Sequence, residues 1–293
     1  MNTNFVIMGL PASGKTTFLA ALWHLIEADE TECRLQLDCY NGDDLSYLTL
    51  ITEAWRTFQR VPRTSQVGDK NVKIPLRNRE NNSRGCAIFP DLAGETFDRQ
   101  VEDRQCRSEF IENIGNDDGI LFFINADVKE DTLSIIEFNA RIPSPNVELR
   151  VGSIEHNEIT PSTSLREWEP KLLPSQVKIV QLLSDIIRPP FTPRNRRLAL
   201  MISAWDLTRS TLLSPLQWLA ANMPLVDQFL KTNGEYFTFQ VYGVSAQGVS
   251  LNDDAAVDEA AKLAPSRRIQ IVGPNGEGHD LTEPLVWLMS VDK

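Results

Sequence analysis

The chain has 293 residues, 42% of them hydrophobic and 24% charged. At this length a chain buries roughly 75% of its unfolded surface, which sets aside collagen-like, low-complexity and largely disordered readings. Acidic residues outnumber basic ones 40 to 29, a formal charge of −11. That balance argues against nucleic-acid binding through a general positive surface, yet leaves room for one phosphorylated small molecule in a local pocket. The cysteines Cys33, Cys39, Cys86 and Cys106 form no CxxC pair, and His24, His156 and His279 cluster with nothing. Reduced thiols in a cytoplasmic protein without structural zinc are therefore expected. There is no basic-then-apolar leader pattern at the start and no run of 18 apolar residues, so no membrane span is expected.

In chain order, Asn4–Met8 is an apolar run that stops at Gly9 and reads as a buried strand. Lys15–Ala28 places Phe18, Leu19, Leu22, Leu25 and Ile26 on one broad face, the spacing of a helix. A second helix is predicted over Leu45–Phe58, then strands over Val72–Leu76 and Cys86–Phe89 around a turn-rich stretch, Arg77–Gly85. Gly119–Ala126 and Arg197–Ser203 are continuous apolar runs, expected of strands covered on both faces; Tyr236–Val244 is a third strand with more alternation. Helices are predicted over Gln176–Ile187, Leu216–Thr232 and Thr282–Leu288. The alternation implies an α/β fold: a three-layer, mainly parallel sheet with helices on both faces. Residues 1–293 are taken as one domain with an insertion at about 129–173, where Pro143, Pro145, Pro161 and Pro170 interrupt the pattern after the fourth predicted strand.

The run Gly9-Leu10-Pro11-Ala12-Ser13-Gly14-Lys15-Thr16 matches GxxxxGK[ST] between a strand and a helix. Glycines let the backbone wrap a phosphate without a Cβ clash, and successive N–H groups form an anion nest at a helix N-terminus. Lys15 would reach the β- and γ-phosphates and Thr16 would hold Mg²⁺; Gly9, Pro11, Ala12, Ser13, Gly14 and Thr17 complete the expected phosphate cradle. Asp91-Leu92-Ala93-Gly94 follows the strand ending at Phe89. A carboxylate at a strand's carboxyl end can hold Mg²⁺ through water, and the Gly94 N–H can meet the γ-phosphate. After the next-but-one strand, Ser203-Ala204-Trp205-Asp206 puts a carboxylate where it can accept both guanine N1–H and the 2-amino group, a donor pair that adenine lacks. Ser245-Ala246 follows the last strand, where a backbone N–H can meet the guanine carbonyl.

In this order GxxxxGKT, DxxG, a variant of (N/T)KxD and SAx resemble the small-GTPase-like fold of translation-factor-related P-loop GTPases. The wording GLPASGKTTFLAALWHLI, PDLAGE and SAWD is similar to the bacterial double-GTPase and GTPase-like families. The motifs span residues 9 to 248. The resemblance implies GTP or GDP with Mg²⁺ as ligands, Gly14, Lys15 and Thr16 on phosphate and metal, Asp91 and Gly94 in the second switch, and Asp206, Ser245 and Ala246 on the base. It also implies a protein partner, another GTPase or a second copy, within a multi-protein bacterial system. Glu95 stands where many GTPases place a water-orienting glutamine. Thr64, just before the Val72 strand, is the candidate for completing Mg²⁺ coordination, and Arg60 or Arg63 for neutralising transition-state charge.

Ala204 replaces the lysine whose stem covers the base plane; Trp205 either stacks in its place or is core. Two other functions stay open: an adenine-nucleotide kinase or ATPase, for which no arginine-bearing lid is legible, and a nucleotide-dependent interaction subunit with negligible turnover. His24 reads as a packed or surface histidine, and Pro193–Arg197 as a solvated edge loop before a strand, with a partner contact as the alternative.

Overall fold

The computed structural model describes residues 2–39, 42, 44–62, 72–90, 95–116, 119–127 and 173–290. Thr64, Asp91, Gly94 and, but for Leu173, the expected insertion lie outside them.

The middle of the sheet is parallel. β1 (Asn2–Gly9) lies between β4 (Arg84–Phe89) and β5 (Gly119–Asn125), and β5 continues to β6 (Arg196–Ser203) and β7 (Phe237–Ser245). Antiparallel pairs extend both edges: β2 (Leu35–Leu37) and β3 (Val72–Asn78) beside β4, and β8 (Gln270–Gly273) with β9 (Gly276–Gly278) beside β7. The order is β2-β3-β4-β1-β5-β6-β7-β8-β9. Because β2, which the sequence does not announce, falls between the first and second predicted strands, the expected insertion follows the fifth strand rather than the fourth.

Strand side chains alternate between faces, so each apolar run supplies two cores. Phe5, Ile7, Leu121 and Phe123 point to one layer, with α1 (Lys15–Ala28), α2 (Leu45–Arg56) and the closing helix (Glu283–Met289). Val6, Met8, Ile120, Phe122 and Ile124 point to the other. There they meet α3 (Glu95–Glu102), α4 (Ser108–Asn116), α5 (Ser175–Asp185), α6 (Pro215–Asn222) and α7 (Pro224–Thr232). Two short helices, α8 (Asp254–Ala260) and α9 (Pro265–Arg268), precede β8, and the closing helix is α10. Among the described residues no helix is long and apolar enough to cross a membrane.

Two local expectations need correction. The helix predicted over Leu216–Thr232 is two helices, because Pro224 has no N–H to donate and pushes Met223 (φ −130°) out of helical geometry. A capping box between Ser214 and Gln217 starts the first of them. The basic run before β6 is not a solvated loop. Arg196 is 1% exposed and donates to the carbonyls of Ile186 and Thr192, at 3.3 and 2.9 Å. Arg197 donates to Trp287 O at 2.9 Å and Ser290 Oγ at 2.7 Å, tying β6 to the end of α10.

Trp205 settles as core. It is 8% exposed, meets Trp218 edge-on at 6.4 Å, and lies on the bare backbone of Gly243, where an added Cβ would stand 2.2 Å from the indole. Gly243→Ala is therefore expected to destabilise the protein by about 2–3 kcal/mol, the upper range for overpacking, seen as a lower denaturant midpoint with an unchanged slope.

Candidate functional site

The site lies where β1, β5, β6 and β7 end, because parallel strands deliver their carboxyl ends to one edge. β1 stops at Gly9 (φ 149°), Ala12 takes the left-handed region (φ 58°), and Gly14 (φ 90°) caps α1. A Cβ on Gly14 would stand 2.8 Å from the Ser203 Cβ, and one on Gly9 would stand 2.7 Å from the Phe123 carbonyl oxygen. The loop is thus pressed against β5 and β6, which admit bare backbone only. Lys15 is 2% exposed; its Nζ donates to Gly9 O at 2.7 Å and Leu10 O at 2.9 Å, holding the head of the loop closed. Phe18, one turn into α1, meets Phe123 edge-on at 5.0 Å and fixes the helix to the sheet below the loop.

Beside the loop opens a cavity of about 310 Å³. Gly14 and Thr17 line one end, Asp206, Ser245 and Ala246 the other, and Asn125 lies on its wall. The structure so brings together the sequence-predicted phosphate and base residues across one space. Ala204, in left-handed backbone (φ 54°), turns the chain out of β6 into a 3₁₀ segment (Trp205–Thr211) carrying Asp206. The Ser245 hydroxyl donates to Asp206 Oδ1 at 2.6 Å, and among the described residues this is the carboxylate's one hydrogen bond. Leu207 is 53% exposed and also lines the cavity, an apolar wall near the position where Ala204 presents only a methyl group.

Trp55, at the end of α2, holds the Ala246 side of the cavity in place: its Nε1 donates to Ala246 O at 3.0 Å, and Gln247 Nε2 donates back to Trp55 O at 3.3 Å. Arg268 lies over the rings of Trp55 and Phe58, at 4.8 and 4.1 Å, and donates to Arg56 O. Burial lowers its pKa to about 10, so it remains cationic at neutral pH and gains from both rings. His24 is 7% exposed, 5.2 Å from the Trp55 ring and 3.3 Å from Glu30 Oε2; burial holds it below the ordinary imidazole range. It is a packing residue, as the sequence suggested.

Thr16 lies in the first turn of α1, and among the described residues no group of three His, Cys, Asp or Glu side chains could hold a metal. Mg²⁺ does not need such a cage. It takes one or two protein oxygens together with phosphates and water, and the Thr16 hydroxyl beside an anion nest fits that chemistry. Glu95 opens α3, exposed, and makes no hydrogen bond or ion pair among the described residues. Arg60 is exposed, and Arg63 lies outside the described residues. The sequence reading missed Asn125 and Trp55; the first was legible only as the polar residue that ends an apolar strand, the second only as one more tryptophan.

A family model described as Double-GTPase 1 matches residues 6–288. A search of curated proteins found no match. The similar solved structures are distant. The Ski7 GTPase-like domain of S. cerevisiae bound to GTP is 14% identical over 87% of this chain and 45% of that one, with a TM-score of 0.42. Bacterial selenocysteine-specific elongation factor EF-Sec is 12% identical over 89% and 29%, at 0.36. The small GTPase Arl6 BBS3 of Trypanosoma brucei, with bound GppNp, is 11% identical over 89% and 98%, at 0.34. The chain thus spans less than half the length of the first two.

Proposed function

The chain belongs to the Double-GTPase 1 family, and from that premise we propose that it binds GTP and GDP with Mg²⁺, hydrolyses GTP, and serves as a nucleotide-dependent switch in a multi-protein bacterial system. The observation that carries the guanine reading is the Ser245–Asp206 hydrogen bond of 2.6 Å. It orients a carboxylate on the same cavity as the glycine-rich loop. A carboxylate held there accepts from guanine N1–H and the 2-amino group, while adenine offers it no such pair. The apolar face of Leu207 would take the place of the missing lysine stem against the base.

In this reading the N–H groups of Pro11's successors, Ala12 to Lys15, surround the phosphates with the positive end of α1 behind them. Lys15 faces the β- and γ-phosphates. Thr16, with Thr64 and Asp91, would hold Mg²⁺, which when bound would neutralise charge on the phosphates. Gly94 and Glu95 belong to the segment that would sense the γ-phosphate, Glu95 accepting a hydrogen bond from the attacking water. The exposed position of Glu95 at the start of α3 favours slow hydrolysis until a partner, another GTPase or a second copy, seats its carboxylate against the attacking water. It equally suits a second reading, a nucleotide-binding subunit with negligible turnover. Four cysteines without a disulfide suit the cytoplasm.

Denaturing the purified protein and chromatographing the released nucleotide tests the proposal. GDP or GTP is expected. ADP or ATP would overturn the guanine assignment. An empty protein that shows no Mg²⁺-dependent affinity for any nucleotide would overturn the whole reading. Phosphate release measured with and without added partner then separates the switch from the subunit without turnover.

A further inference from the structure

We infer that Asn125, at the end of β5, is the residue that positions the phosphate loop and thereby sets how long a nucleotide stays bound. The inference rests on the proposed nucleotide site and adds to it a residue that belongs to none of its sequence motifs.

For the N–H groups of residues 12–15 to face an anion, the loop's carbonyls must face outward and find donors elsewhere. The carbonyls of Gly9 and Leu10 are taken by Lys15 Nζ, at 2.7 and 2.9 Å, and that of Leu10 also by the Ser13 N–H at 3.3 Å. The carbonyl of Ala12 accepts from Asn125 Nδ2 at 3.0 Å. Among the described residues Asn125 is the one side chain from outside the GxxxxGKT run that hydrogen-bonds this loop's backbone. It does so at the residue that needs it most. Ala12 is non-glycine in left-handed backbone (φ 58°), a conformation that costs an alanine roughly 1–2 kcal/mol.

The amide is also aimed. Its Oδ1 accepts from the Asp127 N–H at 2.9 Å, which turns Nδ2 toward the loop. Ser203, the neighbouring residue at the end of β6, touches the loop through packing only: its Cβ and Oγ would lie 2.8 and 2.9 Å from a Cβ on Gly14. Among the described residues its hydroxyl makes no hydrogen bond to the loop. The two strand ends therefore divide the work, β6 by shape and β5 by a directed donor. Asn125 itself borders the cavity beside Gly14 and Thr17. A loop already held in its anion-binding shape loses less conformational entropy on binding, and a ligand held by aligned donors leaves more slowly.

The test is stopped-flow fluorescence with a mant-labelled GDP and Mg²⁺ on the full chain. Asn125→Ala should raise the dissociation rate about tenfold, the size of one lost hydrogen bond. The association rate should stay within about twofold, as is usual within one interface. The preference for guanine over xanthine and adenine nucleotides should not move, since Asp206 and Ser245 are untouched. Asn125→Asp keeps the acceptor for Asp127 but loses the donor and sets a negative charge toward the phosphates. It should raise the dissociation rate further, to roughly a hundredfold. Both variants are checked for folding by denaturant midpoint. If wild-type protein binds and either folded variant releases the nucleotide at the wild-type rate, the inference is overturned while the nucleotide site stands. If base preference shifts along with the rate, Asn125 is not a loop-positioning residue and the inference also falls. If wild-type protein binds no nucleotide, the reading beneath it fails first.

Discussion

Lys15→Ala is expected to weaken GTP and GDP binding by two to three orders of magnitude. Two charge-assisted hydrogen bonds to phosphate oxygens, at about 1.5–2 kcal/mol each, account for about 3–4 kcal/mol. The site makes the loss larger than on an open surface. Lys15 is 2% exposed, so its attraction to a phosphate acts where water screens little. Its removal also leaves the carbonyls of Gly9 and Leu10 without their ammonium donor, so the loop itself loosens. Isothermal titration with Mg²⁺·GTP measures the effect directly. An alanine variant that keeps wild-type affinity and a wild-type denaturant midpoint would show that the bend after β1 is not a phosphate cradle.

Asp206→Asn is expected to lower affinity for GDP by at least about a hundredfold and to raise that for xanthosine diphosphate. Two charge-assisted bonds to guanine at about 1.5 kcal/mol each give the first figure. The second follows from Ser245. Its hydroxyl, 2.6 Å from Asp206 Oδ1, would donate to the asparagine's carbonyl oxygen and so turn the new amide N–H₂ group toward the base. An N–H₂ group there meets the 2-carbonyl of xanthine and repels the 2-amino group of guanine. Competition between the two diphosphates against a fluorescent nucleotide reads both effects at once. Equal losses for both would mean that Asp206 supports the fold of the 3₁₀ segment and does not read the base.

Much of the site was legible before the fold, and the reason is local. A glycine-rich turn between an apolar strand and an amphipathic helix is a contiguous device, and residues 9–17 carry all of it. Asp206 and Ser245 were legible because each follows an apolar strand, β6 and β7, whose carboxyl ends a parallel sheet brings to one edge. On the antiparallel edges β3 was legible, but the outermost strands were not. β2 has three residues, too few to show a period, and the β8–β9 hairpin turns on Gly276 (φ 112°) after a strand of only four. Helices α3 and α4 lacked a long apolar stripe, whereas the split at Pro224 is written in the proline itself, which ends a helix at the residue before it.

The sequence by itself determined β1, β3 to β7, the helices α1, α2, α5 and α10, the glycine-rich loop and the two residues proposed for the base, since each is written in neighbouring positions or in the residue that ends a strand. Only the tertiary structure decided that Trp205 lies on Gly243 and not on the cavity, that Arg196 and Arg197 are structural, and that Asn125 and Trp55 hold the loop and the Ala246 wall of the cavity. Those partners stand 38, 113 and 191 positions apart for Trp205–Gly243, Asn125–Ala12 and Trp55–Ala246. Hydrogen bonding and close packing act over a few ångströms of space, and chain periodicity carries no record of which distant residues the sheet will set side by side.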